Sequence, residues 1–223
     1  MYFSVVRIPS GSGYFDFLKD RDFGNMYHAH QLLWKLFPHN PDAERDFLFR
    51  EQREHNRIYY YLVSAREPEN LYGLKVQTKE YAPVIKAGDV FSFVLRANPV
   101  VAKKREGKEN SVQHDVLMDA KKEARRNGFS EEEENQHVRK KTIGWIKNRA
   151  AKSGFSIEAG KIGFEGYRQY SFYKKNKERI KFSTVDYYGI LRVEDSEAFQ
   201  RSLFHGIGKK KAFGCGLLLI KPV

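Results

Sequence analysis

Two groups of residues in this chain have the types and spacing for chemistry. The first is Tyr27 and His30, three positions apart in YHAHQLLWKLFP. An imidazole with an ordinary pKa of about 6.5 accepts or donates a proton near neutral pH, whereas a phenol at about 10 is a poor base without help. The second is the closing stretch GIGKKKAFGCGLLLIKPV, Gly206 to Val223. Its glycines let backbone N–H groups approach a ligand closely, and Lys209, Lys210 and Lys211 add positive charge, so the ligand that fits is an anion. Nucleotide phosphates and a nucleic-acid backbone both meet that description.

The element that carries Tyr27 and His30 is predicted to be an amphipathic helix ended by Pro38. At 100° per residue Ala29, Leu32, Leu33, Leu36 and Phe37 share one side, and His30 lies on its border with Tyr27 about 60° away. Trp34 continues that edge. His28 points about 160° from His30 and is the weaker candidate. A border histidine is also compatible with simple packing. The glycine stretch does not match a Walker loop, because Gly206, Gly208, Gly214 and Gly216 lack the required spacing. The order of elements is also reversed: DSEAFQRSLF reads as a helix from Asp195 and LLLI as a strand after it, so no helix N-terminus follows the loop to receive phosphate. The alternative is a glycine-rich turn into a buried last strand.

Composition favours the polyanion. The 223 residues carry a formal net charge of +12, from 40 Lys+Arg against 28 Asp+Glu. Such an excess favours nucleic acid or an anionic membrane surface. No apolar run approaches the roughly 20 residues of a spanning helix, and no signal-peptide pattern opens the chain, so a soluble cytoplasmic protein without a membrane partner is expected. The single cysteine, Cys215, excludes an intrachain disulfide and reads as a small packed residue. No Cys/His cluster has zinc-ligand spacing, and no metal is expected.

Along the chain, MYFSVVRI reads as a strand, followed by the Tyr27 helix. Strands are also predicted in RIYYYLVSA, LYGLKVQT and DVFSFVLRANPVV, giving a mixed unit over residues 1–103. Residues 104–154 are charged and helical, and read as an insertion or linker that alternatively joins the following unit. Within them Glu131 to Glu134 read as a solvated helix start or loop, since continuous like charges repel and do not converge on a metal. Residues 155–223 return to strands, in FSIEAGKIGFEG, YRQYSFYKK and RIKFSTVDYYGILRV, then the helix, the glycine loop and the last strand. Two successive mixed units result, of the α+β class. Between Tyr173 and Phe182 lies a predicted hairpin tip, where Lys174, Lys175, Lys177, Arg179 and Lys181 face only Glu178. Such a tip suits solvation alone, or an arm that contacts phosphates.

A basic surface, a histidine and a tyrosine are together the parts of a metal-free ribonuclease. The start MYFS, the helix YHAHQLLWKLFP, DAERDFLF, FVLRANP and GIGKKKAFGCGLLLI occur in an order that resembles the CasE type of CRISPR repeat endoribonuclease, the processing subunit of the Cascade complex. The resemblance runs from Met1 to Ile220, with a divergent middle between Val101 and Gly154. It implies two tandem ferredoxin-like (RRM-related) domains with a glycine-rich loop before the last strand. It also implies metal-independent cleavage of precursor CRISPR RNA beside the repeat hairpin, no small-molecule cofactor, and other Cascade subunits as partners. Family roles carry over to His30 and Tyr27; no catalytic lysine is matched.

In that chemistry the RNA's 2′-hydroxyl attacks the adjacent phosphorus, leaving a 2′,3′-cyclic phosphate and a 5′-hydroxyl. His30 is then general acid or general base, and Tyr27 orients the nucleophile or bonds the phosphate. Backbone amides between Gly206 and Gly216, including Gly208 and Gly214, are expected to hold RNA with Lys209 to Lys211. A non-catalytic RNA-binding module with a structural His30 is the competing class, and Tyr59, Tyr60 and Tyr61 would suit its base-stacking sheet unless they are core. A DNA-binding protein lacks a recognisable helix-turn-helix or finger.

Overall fold

The computed structural model describes residues 1–8, 26–37, 44–55, 57–70, 73–104, 111–173 and 178–223; the side chains of residues 26–28 also lie outside the described set. Alternation makes β1 (Tyr2–Arg7), in which Val6 is buried and Arg7 exposed. With α1 (Met26–Trp34), β2 (Phe47–Glu54), β3 (Arg57–Ser64) and β4 (Lys75–Glu80) it forms the first unit. The sheet order is β2-β3-β1-β4 and every pairing is antiparallel. Helix α1 covers one face, where Ala29, Leu33, Leu36 and Phe37 pack on Val6, Phe49, Tyr60 and Leu62. Tyr60 is core, while Tyr59 and Tyr61 lie half-buried on the opposite face of β3.

The second unit repeats the plan. It comprises β5 (Val90–Ala97), β6 (Val100–Lys103), β7 (Val112–Asp115), α2 (Val116–Arg126), α3 (Glu131–Lys152), β8 (Phe155–Tyr173), β9 (Arg179–Val193), α4 (Ser196–His205), a 3-10 turn (Lys211–Phe213) and β10 (Leu218–Pro222). Its main sheet has the order β10-β5-β9-β8, again antiparallel, and β6 and β7 form a separate ribbon. Taken by position within each unit, the strands of both sheets follow the order second, third, first, fourth, the ferredoxin-like arrangement.

Two sequence expectations change. The strand around Phe91, Phe93 and Leu95 was assigned to a first unit ending at Lys103, yet it pairs with β9 and β10 in the second sheet. Its buried Phe93, Leu95 and Ala97 share a core with Val185, Tyr187, Leu191 and Leu218, and that burial decides its allegiance. The charged helices of 104–154 join this unit, which is the second of the two readings their sequence allows. In α3, Val138, Thr142, Trp145, Ile146 and Ala150 make one buried stripe in that core, while Glu131 to Glu134 form its solvated first turn with a Ser130/Glu133 capping box. Strands FSIEAGKIGFEG and YRQYSFYKK are one strand, β8, interrupted by bulges between Ile157 and Ile162 and between Glu165 and Arg168. No helix among the described residues is long and apolar enough to cross a membrane.

The two units meet through side chains of both sheets. Leu48 and Val63 pack with Leu217, joined by Phe3, Tyr61, Tyr81, Phe204 and Leu219. Beside them Asp186 of β9 holds Arg96 of β5 through two hydrogen bonds, 2.9 and 2.8 Å, and pairs with Arg50 of β2 at 3.3 Å.

Candidate active site and nucleic-acid interface

His30 sits in α1 where the helix crosses the start of β2. Its ring centroid is 5.9 Å from Trp34 and 5.9 Å from Phe47. Trp34 is one turn along the same helix, and Phe47 is fixed by stacking on Phe37 at 5.0 Å. The imidazole is therefore held by aromatic packing. Its Nε2 is buried and has no hydrogen-bond partner among the described residues. Burial, with the Arg45 guanidinium adding to it, pushes His30 down from 6.5 to about 4, so the ring is neutral at pH 7.

Arg45 lies two residues before β2 begins, and its Nη1 is a second buried nitrogen with no hydrogen-bond partner among the described residues. Burial lowers its pKa. The third member comes from the other end of the chain. The 3-10 turn packs against both α1 and β2, and it places half-buried Lys211 in the field of Arg45. Burial and then Arg45 lower the Lys211 pKa. Two cations and a neutral imidazole thus converge, and two of them carry unpartnered buried nitrogens. Such a group is under-satisfied until an anion with several acceptor oxygens arrives.

Of the residues expected to work beside His30, Tyr27 is placed on α1 one turn earlier, and its side chain lies outside the described residues, as does that of His28. Arg45 was missed, although it stands in the DAERDFLF segment. Its strand β2 was not predicted either, because the polar run REQRE hides the alternation.

The glycine loop divides by role. Gly206 has φ 75°, and a Cβ there would lie 2.9 Å from the Gly216 carbonyl and from Leu48. Gly214 has φ 72°, and its Cβ would meet Phe49 at 3.2 Å. These two glycines let the loop lie on β2. The N–H groups of Gly206, Ile207, Phe213 and Gly216 already bond backbone carbonyls. Those of Gly208, Lys209 and Lys210 make no backbone hydrogen bond among the described residues, and neither do those of Gly214 and Cys215, so open amides remain at both ends of the loop. Gly208 itself lies over Trp145, 3.5 Å from the ring when a Cβ is added.

The three lysines diverge. Lys209 is exposed, Lys211 turns towards Arg45, and Lys210, in the left-handed conformation at φ 60°, places its Nζ 5.7 Å above Phe182 and 5.8 Å above Phe213. Lys210 thereby touches the arm formed by β8 and β9. Tyr173 pairs with Arg179 at the last described register of that arm. Arg179 donates to Ser171 Oγ at 3.0 Å and covers Tyr173, while Lys181 is exposed. Lys174, Lys175 and Lys177 lie outside the described residues. Cys215 is fully buried, and burial pushes its thiol up to about 12, so it is packing and not a nucleophile.

Fold and site together define a double ferredoxin-like protein with a cationic, histidine-bearing cluster at the joint of its two units. The chain belongs to the family described as CRISPR associated protein, which matches residues 1–222. Among curated proteins it is similar to the CRISPR system Cascade subunit CasE of Escherichia coli strain K12, 26% identical over 202 residues that cover 89% of this chain and 93% of the relative. Among solved structures it is similar to the CRISPR endoribonuclease Cse3 bound to 19 nt RNA, with TM-score 0.71 and 22% identity over the whole of both chains. The Cas6e protein of Escherichia coli K-12 has TM-score 0.67 and 24% identity, also over both whole chains. These two likenesses support the fold.

Proposed function

We propose that this chain is a CRISPR repeat endoribonuclease that cuts precursor CRISPR RNA beside the repeat hairpin by attack of the RNA's own 2′-hydroxyl, and that it works in the cytoplasm with other Cascade subunits. The observation that carries the reading is the pair of orphaned buried nitrogens, His30 Nε2 and Arg45 Nη1, beside Lys211 in a family of CRISPR associated proteins.

A neutral His30 is in the state required of a general base. Its unpartnered nitrogen takes the proton of the 2′-hydroxyl as that oxygen bonds to phosphorus. The bond from phosphorus to the 5′-oxygen breaks, leaving a 2′,3′-cyclic phosphate, and the 5′-oxygen gains its proton from water. Negative charge grows on the non-bridging oxygens, where Arg45 and Lys211 stabilise it more strongly than in the ground state. Tyr27, one turn from His30, orients the 2′-hydroxyl or bonds the phosphate. Lys209, Arg179, Lys181 and the amides of Gly208 to Lys210 hold the hairpin's backbone, with Lys174, Lys175 and Lys177 extending the arm.

The test is cleavage of repeat RNA in EDTA, with and without 2′-deoxyribose just 5′ of the scissile phosphate. Cleavage of the all-ribose RNA and none of the substituted one is expected, with both bound equally. Cutting of the deoxy RNA at the same bond would require an activated water and would overturn the mechanism. Binding without any cleavage would leave a non-catalytic RNA-binding module.

A further inference from the structure

Between the β6–β7 ribbon and the β8–β9 arm lies a cavity of about 480 Å³. That size falls in the range of small-molecule sites, about 300–1,000 Å³. Its wall includes the Tyr170 and Phe182 rings, stacked with centroids 5.1 Å apart. Lys210 sits at the same cavity with its Nζ over Phe182. The side chains of Gln113 and Lys181, which also line it, make no hydrogen bond or ion pair among the described residues. Asp115 lies half-buried on the wall, its carboxylate engaged by the Met118 N–H and the Ser183 hydroxyl.

The distribution of charge selects the ligand. Arg179, Lys181 and the amide of Gln113 are exposed at the opening, while the Asp115 carboxylate is half-buried behind them. A bare phosphate would meet the Asp115 carboxylate inside and is disfavoured there. An RNA duplex is too wide to enter. A single unstacked nucleotide satisfies both parts: its base offers a π-face to the aromatic wall and edge groups to Gln113, and its phosphate remains outside with the cations.

We infer that this cavity receives one unpaired nucleotide of the bound RNA, base inward, at a site separate from His30. The proposal rests on the RNA-binding function above and gives it a single-base contact in addition to backbone contacts. The pocket joins three elements, the ribbon, the arm and the glycine loop, so a base seated there locks the arm against Lys210 and fixes the register of the strand relative to the cleavage pocket.

The experiment is an abasic scan. Each nucleotide outside the stem of a repeat RNA is replaced in turn by an abasic ribose, and affinity and cleavage are measured at fixed salt. One unpaired position should lose roughly 5- to 150-fold in affinity, the range of base–aromatic stacking. Gln113→Ala should weaken intact RNA and shrink the penalty at that position only, since the base contact is then partly gone, whereas Lys181→Ala, at the phosphate, should weaken intact and abasic RNA alike. A flat scan with cleavage intact would overturn the pocket and leave the endoribonuclease untouched. An undiminished penalty in Gln113→Ala would place the base elsewhere and equally overturn it. Failure of the wild-type protein to bind the intact repeat would overturn the RNA function and the pocket with it.

Discussion

Because His30 is neutral down to about pH 4, the acid limit of the reaction should lie well below that of an ordinary histidine. A general base works in its unprotonated form, so kcat/KM should fall only as pH drops through the folded pKa. Burial is the larger cause of the depression and Arg45 the smaller. Arg45→Gln removes a cation that opposes the imidazolium, so the acid limb should move part of the way towards 6.5. The same variant should lose about 10² in rate through weaker transition-state charge stabilisation. His30→Ala should lose roughly 10² to 10⁴ while RNA affinity stays close to wild type. A pH–rate profile of single-turnover cleavage reads all three. An acid limb unmoved in Arg45→Gln would separate Arg45 from the histidine, and a near-normal rate in His30→Ala would remove His30 from the chemistry. At this scale the position of His30, on the border of an amphipathic helix beside Trp34, was legible in the sequence. Arg45 was not, and neither was the meeting of Lys211 with it, because that depends on a turn near one end of the chain packing on a strand near the other.

Elements divide between those set by local pattern and those set by burial elsewhere. Helix α4 and the last strand were legible because a capping Asp195 and a short apolar run are local signals. Strand β5 was legible as a strand but not as a member of the second sheet, since its partners β9 and β10 follow about ninety or more residues later. The glycine loop was legible as a backbone device, yet its function was only half visible. Glycine spacing alone does not say which φ is left-handed for packing and which amides remain open. Gly206→Ala tests that division. Its Cβ would combine a left-handed φ with contact to a backbone carbonyl and to Leu48, costing about 1–3 kcal/mol. Lys209→Ala, on an exposed side chain, should change stability by less than about 0.5 kcal/mol and act on RNA affinity alone. Denaturant unfolding of the two variants beside RNA titrations gives the comparison. Equal stability of the two would show that the loop relaxes away from β2.

Across the whole molecule, the proposed function divides cleavage and grip between different units. His30 and Arg45 belong to the first unit, whereas Arg179, Lys181, Lys209 and Lys210 belong to the second, and Lys211 spans the joint. The joint is kept by the Leu48–Val63–Leu217 contact and by Asp186 bridging Arg50 and Arg96, so the two functions are held at a fixed distance. A single cut at the first unit then removes few of the contacts made by the second. The hairpin-bearing product should remain bound, and with RNA in excess each protein should complete close to one turnover. Those contacts are largely to phosphates, and each phosphate neutralised releases condensed counterions. Product affinity should therefore fall steeply with salt, and Lys181→Ala or Lys209→Ala should each lower the log–log slope by about 0.7 to 0.9. Turnover with excess RNA, followed by product affinity from low to high salt, measures both effects. Rapid multiple turnover with weak, salt-insensitive product binding would show that the second unit does not retain the RNA and that the exposed lysines serve solvation.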